Sequence, residues 1–303
     1  MEAERPLFSI VIPTRNRPAQ LKACLGSISR LDYPVDRFEV IVVDDGSQTS
    51  LERVVSPFRE QIELTLLSQR NSGPGIARNH GAEKARGQFL AFTDDDCMPA
   101  AGWLKALAAR FAGTPERAIG GRTLNALPDN TYSATSQAIM DFVYAHYNAD
   151  PDHARFFASN NLAMPADRFN SIDGFDRGWP LAASEDRELC DRWLHYGYRM
   201  TYAPEAVVYH AHSLTLSGFW RQHFNYGRGA YRFHQLRAQR GLGPFKPEVR
   251  FYMSLLRYSF LHKYTRLLPI LAMWQLANTA GFLCEMTRCR NRRDNKRLND
   301  MTV

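Results

Sequence analysis

Apolar and polar positions follow two different periods along this chain. Residues 8–13, 38–43, 62–67 and 89–93 are short, nearly unbroken apolar runs, and each reads as a strand buried on both faces. Residues 18–31 place Leu21, Cys24, Leu25 and Ile28 at three- and four-residue spacing, which predicts a helix with one buried stripe. A second helix opens at Gly73-Pro74-Gly75 and closes before Gly87, and a third covers 103–111. Strand and helix alternate, so the pattern predicts an α/β fold: a Rossmann-like, mostly parallel sheet with helices on both faces. Farther along, 131–148 and 185–196 read as helices. Residues 156–164 and 206–209 read as short strands, the second ending at His210.

In such a sheet, ligands bind beyond the carboxyl ends of the strands. Three polar clusters fall there: Pro13-Thr14-Arg15, Asp44-Asp45 and Asp94-Asp95-Asp96. The acidic triplet is the most informative. Adjacent carboxylates at a strand end repel one another and are costly to desolvate, and Mg²⁺ or Mn²⁺ relieves that while bridging to a phosphate. The alternative is a solvated acidic turn. Asp44-Asp45-Gly46-Ser47 presents acceptors for a base or ribose, or is simply a β-turn. The loop 71–79 aims backbone N–H groups and a helix dipole at an anion, with Arg78 within reach of a phosphate, or is an ordinary helix start. Glu185-Asp186 offers a general base, or reflects the preference for acids in a first helical turn. His210 and His212 end a strand, where neutral imidazole suits a metal or ordinary packing.

Charge alters the reading of the C-terminal third. Residues 1–212 hold 22 Lys/Arg and 27 Asp/Glu, whereas 213–303 hold 16 and 4, a local balance of +12 within a chain of net +7. Residues 249–264 interleave apolar positions with Arg250, Arg257 and Lys263. Residues 267–286 are 20 mostly apolar positions broken by Pro269, Gln275, Asn278 and Glu285, and a basic run follows at 288–297. The pattern predicts a helical extension suited to an anionic membrane surface, as a span, a surface-lying hairpin or a helical cap. It does not match a nucleic-acid-binding module. The five cysteines, Cys24, Cys97, Cys190, Cys284 and Cys289, form no C-x-x-C pair, which fits a reducing compartment. Residues 1–8 are short and charged and lead straight into a strand, so no signal peptide is expected. The expected location is cytoplasmic, peripheral at or anchored to the inner face of the cell membrane.

Seven pieces stand in order: residues 9–16 (SIVIPTRN), 42–47 (VVDDGS), 75–79 (GIARN) and 92–96 (FTDDD), then Gly174-Phe175-Asp176, Glu185-Asp186 and His210. Together they resemble the inverting family 2 glycosyltransferases of GT-A fold, over about residues 8–235. The resemblance implies a catalytic domain over 1–235, with a nucleotide-sugar half to about 115 and an acceptor half from about 116. The extension then occupies 236–303. It implies donor contacts from Pro13, Thr14, Arg15, Asp44, Asp45, Arg78, Asp94 and Asp95, with Asp45 on the base and Asp94 near the ribose. It implies Mn²⁺ or Mg²⁺ on Asp96, Asp94 and His210, Asp186 as general base with Glu185 beside it, and Asn160, Asn161 and Trp179 on the acceptor side. Arg221-Gln222-His223 matches only part of the Gln-x-x-Arg-Trp element of processive polymerases, which argues against a processive enzyme.

The expected reaction moves a sugar from a nucleotide-diphosphate donor, a UDP-sugar by default, to a hydroxyl of a glycan, lipid-linked or envelope acceptor with inversion. A metal stabilises the leaving diphosphate and a carboxylate takes the hydroxyl proton. Two other classes compete. A nucleotidyltransferase on a similar sheet makes nucleotide sugars and releases pyrophosphate. A catalytically silent membrane-associated module binds nucleotide or glycan without turnover.

Overall fold

The runs that are apolar throughout become the centre of one sheet. The computed structural model describes residues 7–178, 183–243, 253–255, 257 and 267–300, with side chains through 291. Among these residues eight strands join: β1 (Phe8–Thr14), β2 (Phe38–Asp44), β3 (Leu64–Ser68), β4 (Phe89–Phe92), β5 (Cys97–Pro99), β6 (Ala118–Asn125), β7 (Leu162–Pro165) and β8 (Met200–His210). The helices are α1 (Pro18–Ile28), α2 (Glu52–Val55), α3 (Pro74–Lys84), α4 (Trp103–Gly113), α5 (Thr131–Tyr147), α6 (Ala166–Ser171), α7 (Glu185–His195), α8 (Leu216–Gln239) and α9 (Leu268–Asp300). The strands lie in the order β3-β2-β1-β4-β7-β6-β8-β5.

β1 to β4 run parallel, but β7 is antiparallel to β4 and β6, and β5 is antiparallel to β8. The sheet is therefore mixed, which corrects the mostly parallel sheet expected from pattern. An apolar run marks a buried strand, whereas its direction depends on where the preceding connection ends.

Helices do cover both faces of the parallel half, because side chains alternate with period two. Phe8, Ile10, Ile12, Val40 and Val42 pack with Leu21, Cys24, Leu25 and Ile28 of α1 and Trp103, Leu104, Leu107 and Phe111 of α4. Ile41 and Val43 turn the other way, onto Ala77 of α3. Gly81 lets α3 approach closely, since a Cβ there would lie 2.4 Å from Val11 Cγ1.

The other half departs more from the sequence pattern. The run at 156–164 becomes strand only at Leu162–Pro165, and the strand at 206–209 is part of the 11-residue β8. β6 lies where the sequence pattern predicts no element, and Gly120-Gly121 is an unfavourable pair for a strand interior. Here the two glycines make room. A Cβ on Gly120 would lie 2.0 Å from the Phe157 ring, and one on Gly121 2.1 Å from the Ala206 carbonyl oxygen. At that point the β6–β8 register slips: Gly121 faces Ala203, but Arg122 faces Val207.

The chain divides into two compact units. One comprises Met1–Pro128, Val143–Pro180 and Glu185–His212 and contains the whole sheet. The other comprises Asp129–Phe142, Leu181–Ser184 and Ser213–Val303. In the second unit α8 and α9 approach backbone to backbone. A Cβ on Gly227 would lie 1.9 Å from Asn278 O, and one on Gly281 1.9 Å from Phe224 O. Glu285, with no exposed surface, accepts from Arg228 Nε at 2.9 Å and Arg232 Nε at 2.7 Å. The acidic residue that interrupts the apolar stretch is thus one side of an ion-pair seam. Among the described residues no helix is long and apolar enough to cross a membrane.

Candidate active site

Three strand exits of the first unit carry the polar clusters. Thr14 and Asp44 are register partners at the ends of β1 and β2, and Asp45 N donates to Thr14 O at 2.9 Å. Pro13 and Thr14 are buried, whereas Arg15 is exposed. Asp44 Oδ1 accepts from Ser47 N at 2.9 Å and closes the turn after β2. Asn16, at φ 55°, ties the two exits together. Its N–H donates to Ser47 Oγ and its Oδ1 accepts from Gln48 N, each at 2.8 Å.

Asp45 organises the loop before α3. Its Oδ1 accepts from Ser72 N at 2.7 Å and Gln69 Nε2 at 2.8 Å, and its Oδ2 accepts from Gly73 N at 2.9 Å. With the Asn71 amide turned to satisfy both ends, its nitrogen donates to Asp45 Oδ2 at 2.9 Å and its oxygen accepts from Arg15 Nη1 at 3.1 Å. A carboxylate offers about four acceptor sites, so a base contacts Asp45 only by replacing one of these bonds.

The three acids after β4 point to three different places. Asp94 Oδ1 accepts from Arg78 Nη2 at 2.6 Å. Asp95 turns inward, accepting from Thr14 Oγ1 at 2.7 Å and Arg17 Nη1 at 3.0 Å. Burial pushes its carboxyl up to about 6 although Arg17 and Thr14 pull the other way. Asp96 is a hub: Arg17 Nη1 lies 3.0 Å from Oδ2, His210 Nε2 3.2 Å from Oδ1, and His212 Nδ1 3.4 Å from Oδ2. Burial alone would raise Asp96, but hydrogen bonds from the two histidines and the charge of Arg17 hold it well below the usual carboxylate range. Burial also disfavours charged His210, but Asp96 more than offsets this and raises it.

Strand pairing brings these groups together. Cys97 of β5 is the register partner of His210 at the end of β8, and Ala211 N donates to Asp96 O at 2.8 Å. One ligand atom from each of Asp96, His210 and His212 lies within 4.8 Å of the others. A carboxylate with two imidazoles fits a divalent cation, and suits Mn²⁺ better than oxygen-demanding Mg²⁺. This cluster differs from the expected set of Asp96, Asp94 and His210: His212 is in it, and Asp94 is turned to Arg78.

Arg78 is not open to a phosphate. It is 3% exposed, donates from Nη2 to Asp94 and from Nη1 to Glu185 Oε1 at 3.3 Å, and lies 5.4 Å from the Phe175 ring centroid. It therefore links the acids after β4 to the acids opening α7. The neighbouring turn is fixed from both sides. Asn79 bonds Phe175 through both its amide atoms, Nδ2 to O at 2.7 Å and Oδ1 from N at 2.8 Å. Gly174 has φ 61°, and a Cβ there would lie 2.4 Å from Asn79 Oδ1. Arg192 pairs with buried Glu188 at 2.9 Å and donates to the carbonyls of Ile172 and Gly174. Glu185 is buried and Asp186 half-buried beside that turn. Burial and then the charge of Asp186 raise Glu185 despite Arg78. Burial also raises Asp186, against a hydrogen bond from Arg187 N at 2.7 Å.

Asn160 and Asn161 lie under the site. Asn160 O accepts from Thr93 Oγ1 at 3.0 Å, and its Oδ1 from Thr123 Oγ1 at 3.2 Å. Asn161 has no exposed surface. Its Oδ1 accepts from Trp103 Nε1 at 2.8 Å, and its Nδ2 donates to Arg122 O and Ala206 O at the register slip. Asn161 thus fills the bulge rather than facing an acceptor. Trp179 lies outside the described residues. Sequence reasoning missed Arg17, Glu188 and Arg192. Arg17 alone had a positional signal, as a cation just past the β1 exit on the edge that carries the acids.

The profile described as "Glycosyl transferase family 2" matches residues 9–170, and "Glycosyl transferase family group 2" matches 90–284. Glycosyltransferase AglE of Haloferax volcanii is 25% identical over 232 residues, covering 76% of this chain and 74% of AglE. The chain spans only about half the length of several other curated relatives. Among solved structures, the mannosyltransferase PcManGT from Pyrobaculum calidifontis, in complex with GDP-Man and Mn²⁺, superposes with TM-score 0.61 at 20% identity, over 94% of this chain and 74% of that one. S. aureus TarS 1-349 in complex with UDP-GlcNAc gives 0.58 at 18%, over 89% and 79%. These structural likenesses are likenesses of fold.

Proposed function

This chain belongs to glycosyl transferase family 2, and from that premise we propose that it transfers a sugar with inversion from a nucleotide-diphosphate donor, a UDP-sugar first, to a hydroxyl of a glycan or lipid-linked acceptor. One observation carries the reading: the chain Asp94–Arg78–Glu185, buried at Arg78 and Glu185 and next to Asp186, stands on the same sheet edge as the Asp96–His210–His212 cluster. Such a chain joins a donor carboxylate to a base. Asp96, His210 and His212 would hold Mn²⁺ or Mg²⁺, which when bound supplies positive charge for the departing diphosphate. Arg15, Asp45 and the 69–73 loop face the nucleotide.

Asp186 takes the proton of the acceptor hydroxyl as that oxygen attacks the anomeric carbon from the side opposite the nucleotide. The donor C–O bond breaks and the nucleoside diphosphate leaves, so configuration inverts and no covalent enzyme intermediate forms. Burial keeps Asp186 and Glu185 more basic than ordinary carboxylates, which favours taking that proton. Glu185, held by Arg78, keeps the base oriented.

Two measurements test this. Calorimetric titration with UDP, GDP and dTDP, each with and without Mn²⁺, should show one nucleotide bound in a metal-dependent manner. No binding to folded protein defeats the donor assignment. Asp186→Asn should lower transfer by about 10³-fold or more while leaving nucleotide affinity within about threefold, as expected for a group that acts in the transition state. Retained turnover removes Asp186 from the base role.

A further inference from the structure

Asp95 and Asp96 are neighbours, and each is less than a tenth exposed. Two buried adjacent carboxylates that stay ionised need positive charge beside them. Among the described residues one Lys or Arg side chain pairs with them, Arg17, and one atom of it does so. Nη1 lies 3.0 Å from Asp95 Oδ1 and 3.0 Å from Asp96 Oδ2. The two carboxylates are fixed, Asp95 by Thr14 and Asp96 by His210 and His212. The Arg17 side chain is 45% exposed and leaves the backbone at the residue just before α1.

From this geometry we propose that Arg17 is the resident counter-ion of the acidic pair and competes with the divalent cation for Asp96, so that metal loading is an exchange of cations. The proposal rests on reading Asp96, His210 and His212 as the metal centre. A cation bound by those three groups needs Asp96 lone pairs and comes within a few ångströms of Nη1, where two positive charges repel. Arg17 can yield Asp96 without losing its anchor, because Asp95 remains 3.0 Å away on its other side. The exchange has two consequences. The acids stay organised and compensated before any cation arrives. The affinity for the cation is set below what the bare ligand set would give.

The test uses the full chain and MnCl₂ alone, by calorimetry, with thermal unfolding measured in parallel. Arg17→Gln should bind Mn²⁺ about tenfold more tightly than wild type, because a competing charge at contact distance is gone. Its melting temperature should fall without Mn²⁺ and rise more than that of wild type on adding it. Lys22→Gln, which removes an exposed positive charge from α1, should leave Mn²⁺ affinity unchanged. Equal or weaker binding by Arg17→Gln overturns the proposal, as does equal tightening in Lys22→Gln. Asp96→Asn separates the two layers. If it loses Mn²⁺ while Arg17→Gln matches wild type, the centre stands and the exchange is wrong. If it keeps Mn²⁺, the centre itself is wrong and the exchange falls with it.

Discussion

Buried Glu185 and half-buried Asp186 stand side by side, with the Arg78 guanidinium 3.3 Å from Glu185 Oε1, and their ionisation is linked to folding. Burial raises Glu185 above its ordinary value of 4.5, so between that value and the raised one the folded chain binds more protons than the unfolded chain. Stability must then fall as pH rises through this window, and the stabilising contribution is intact only below it. We expect the stability difference between wild type and Glu185→Gln to shrink or reverse as pH goes from about 4.5 to 8, read from urea midpoints at each pH. A difference independent of pH would mean that Glu185 titrates normally. The order of the short motifs singled these residues out. Their partners were not. Nothing in Gly75-Ile76-Ala77-Arg78-Asn79 says that Arg78 faces Asp94 and Glu185 instead of a phosphate, because both ends of that bridge lie far away in sequence.

Among the elements, the parallel half was readable from pattern and the antiparallel half was not. β1 and β2 are buried at every position, so their composition nearly dictates their environment. β6 contains two glycines whose value lies only in what they avoid touching. Gly120→Ala should destabilise the fold by about 2 kcal/mol through overpacking against Phe157, shown by a lower urea midpoint with an unchanged slope. An unchanged midpoint would mean that the Phe157 ring moves aside freely. Asn161 has the same lesson. A polar residue beside a predicted acceptor site is fully buried because the β6–β8 slip leaves two carbonyl groups for its amide to satisfy.

At the scale of the molecule, charge is the property that composition reports best. The balance of +12 over 213–303, with Trp220, Leu276 and Leu283 each at least 41% exposed, is the feature that a test against an anionic lipid surface would probe. We expect the full chain to cosediment with vesicles containing anionic phospholipid at low salt and to be released as salt rises. Absence of binding at low salt would remove the membrane reading. Of the four residues that interrupt 267–286, Glu285 is held by Arg228 and Arg232. The sequence by itself determined the alternation of strand and helix, the strand-end position of the acids, the family and the charge of the C-terminal third, because these depend on local period, composition and motif order. Only the tertiary structure decided strand direction, the place of His212 beside Asp96, the bridge made by Arg78 and the sharing of Arg17 by two carboxylates. Each of those depends on which distant segments meet, and local pattern carries no term for that.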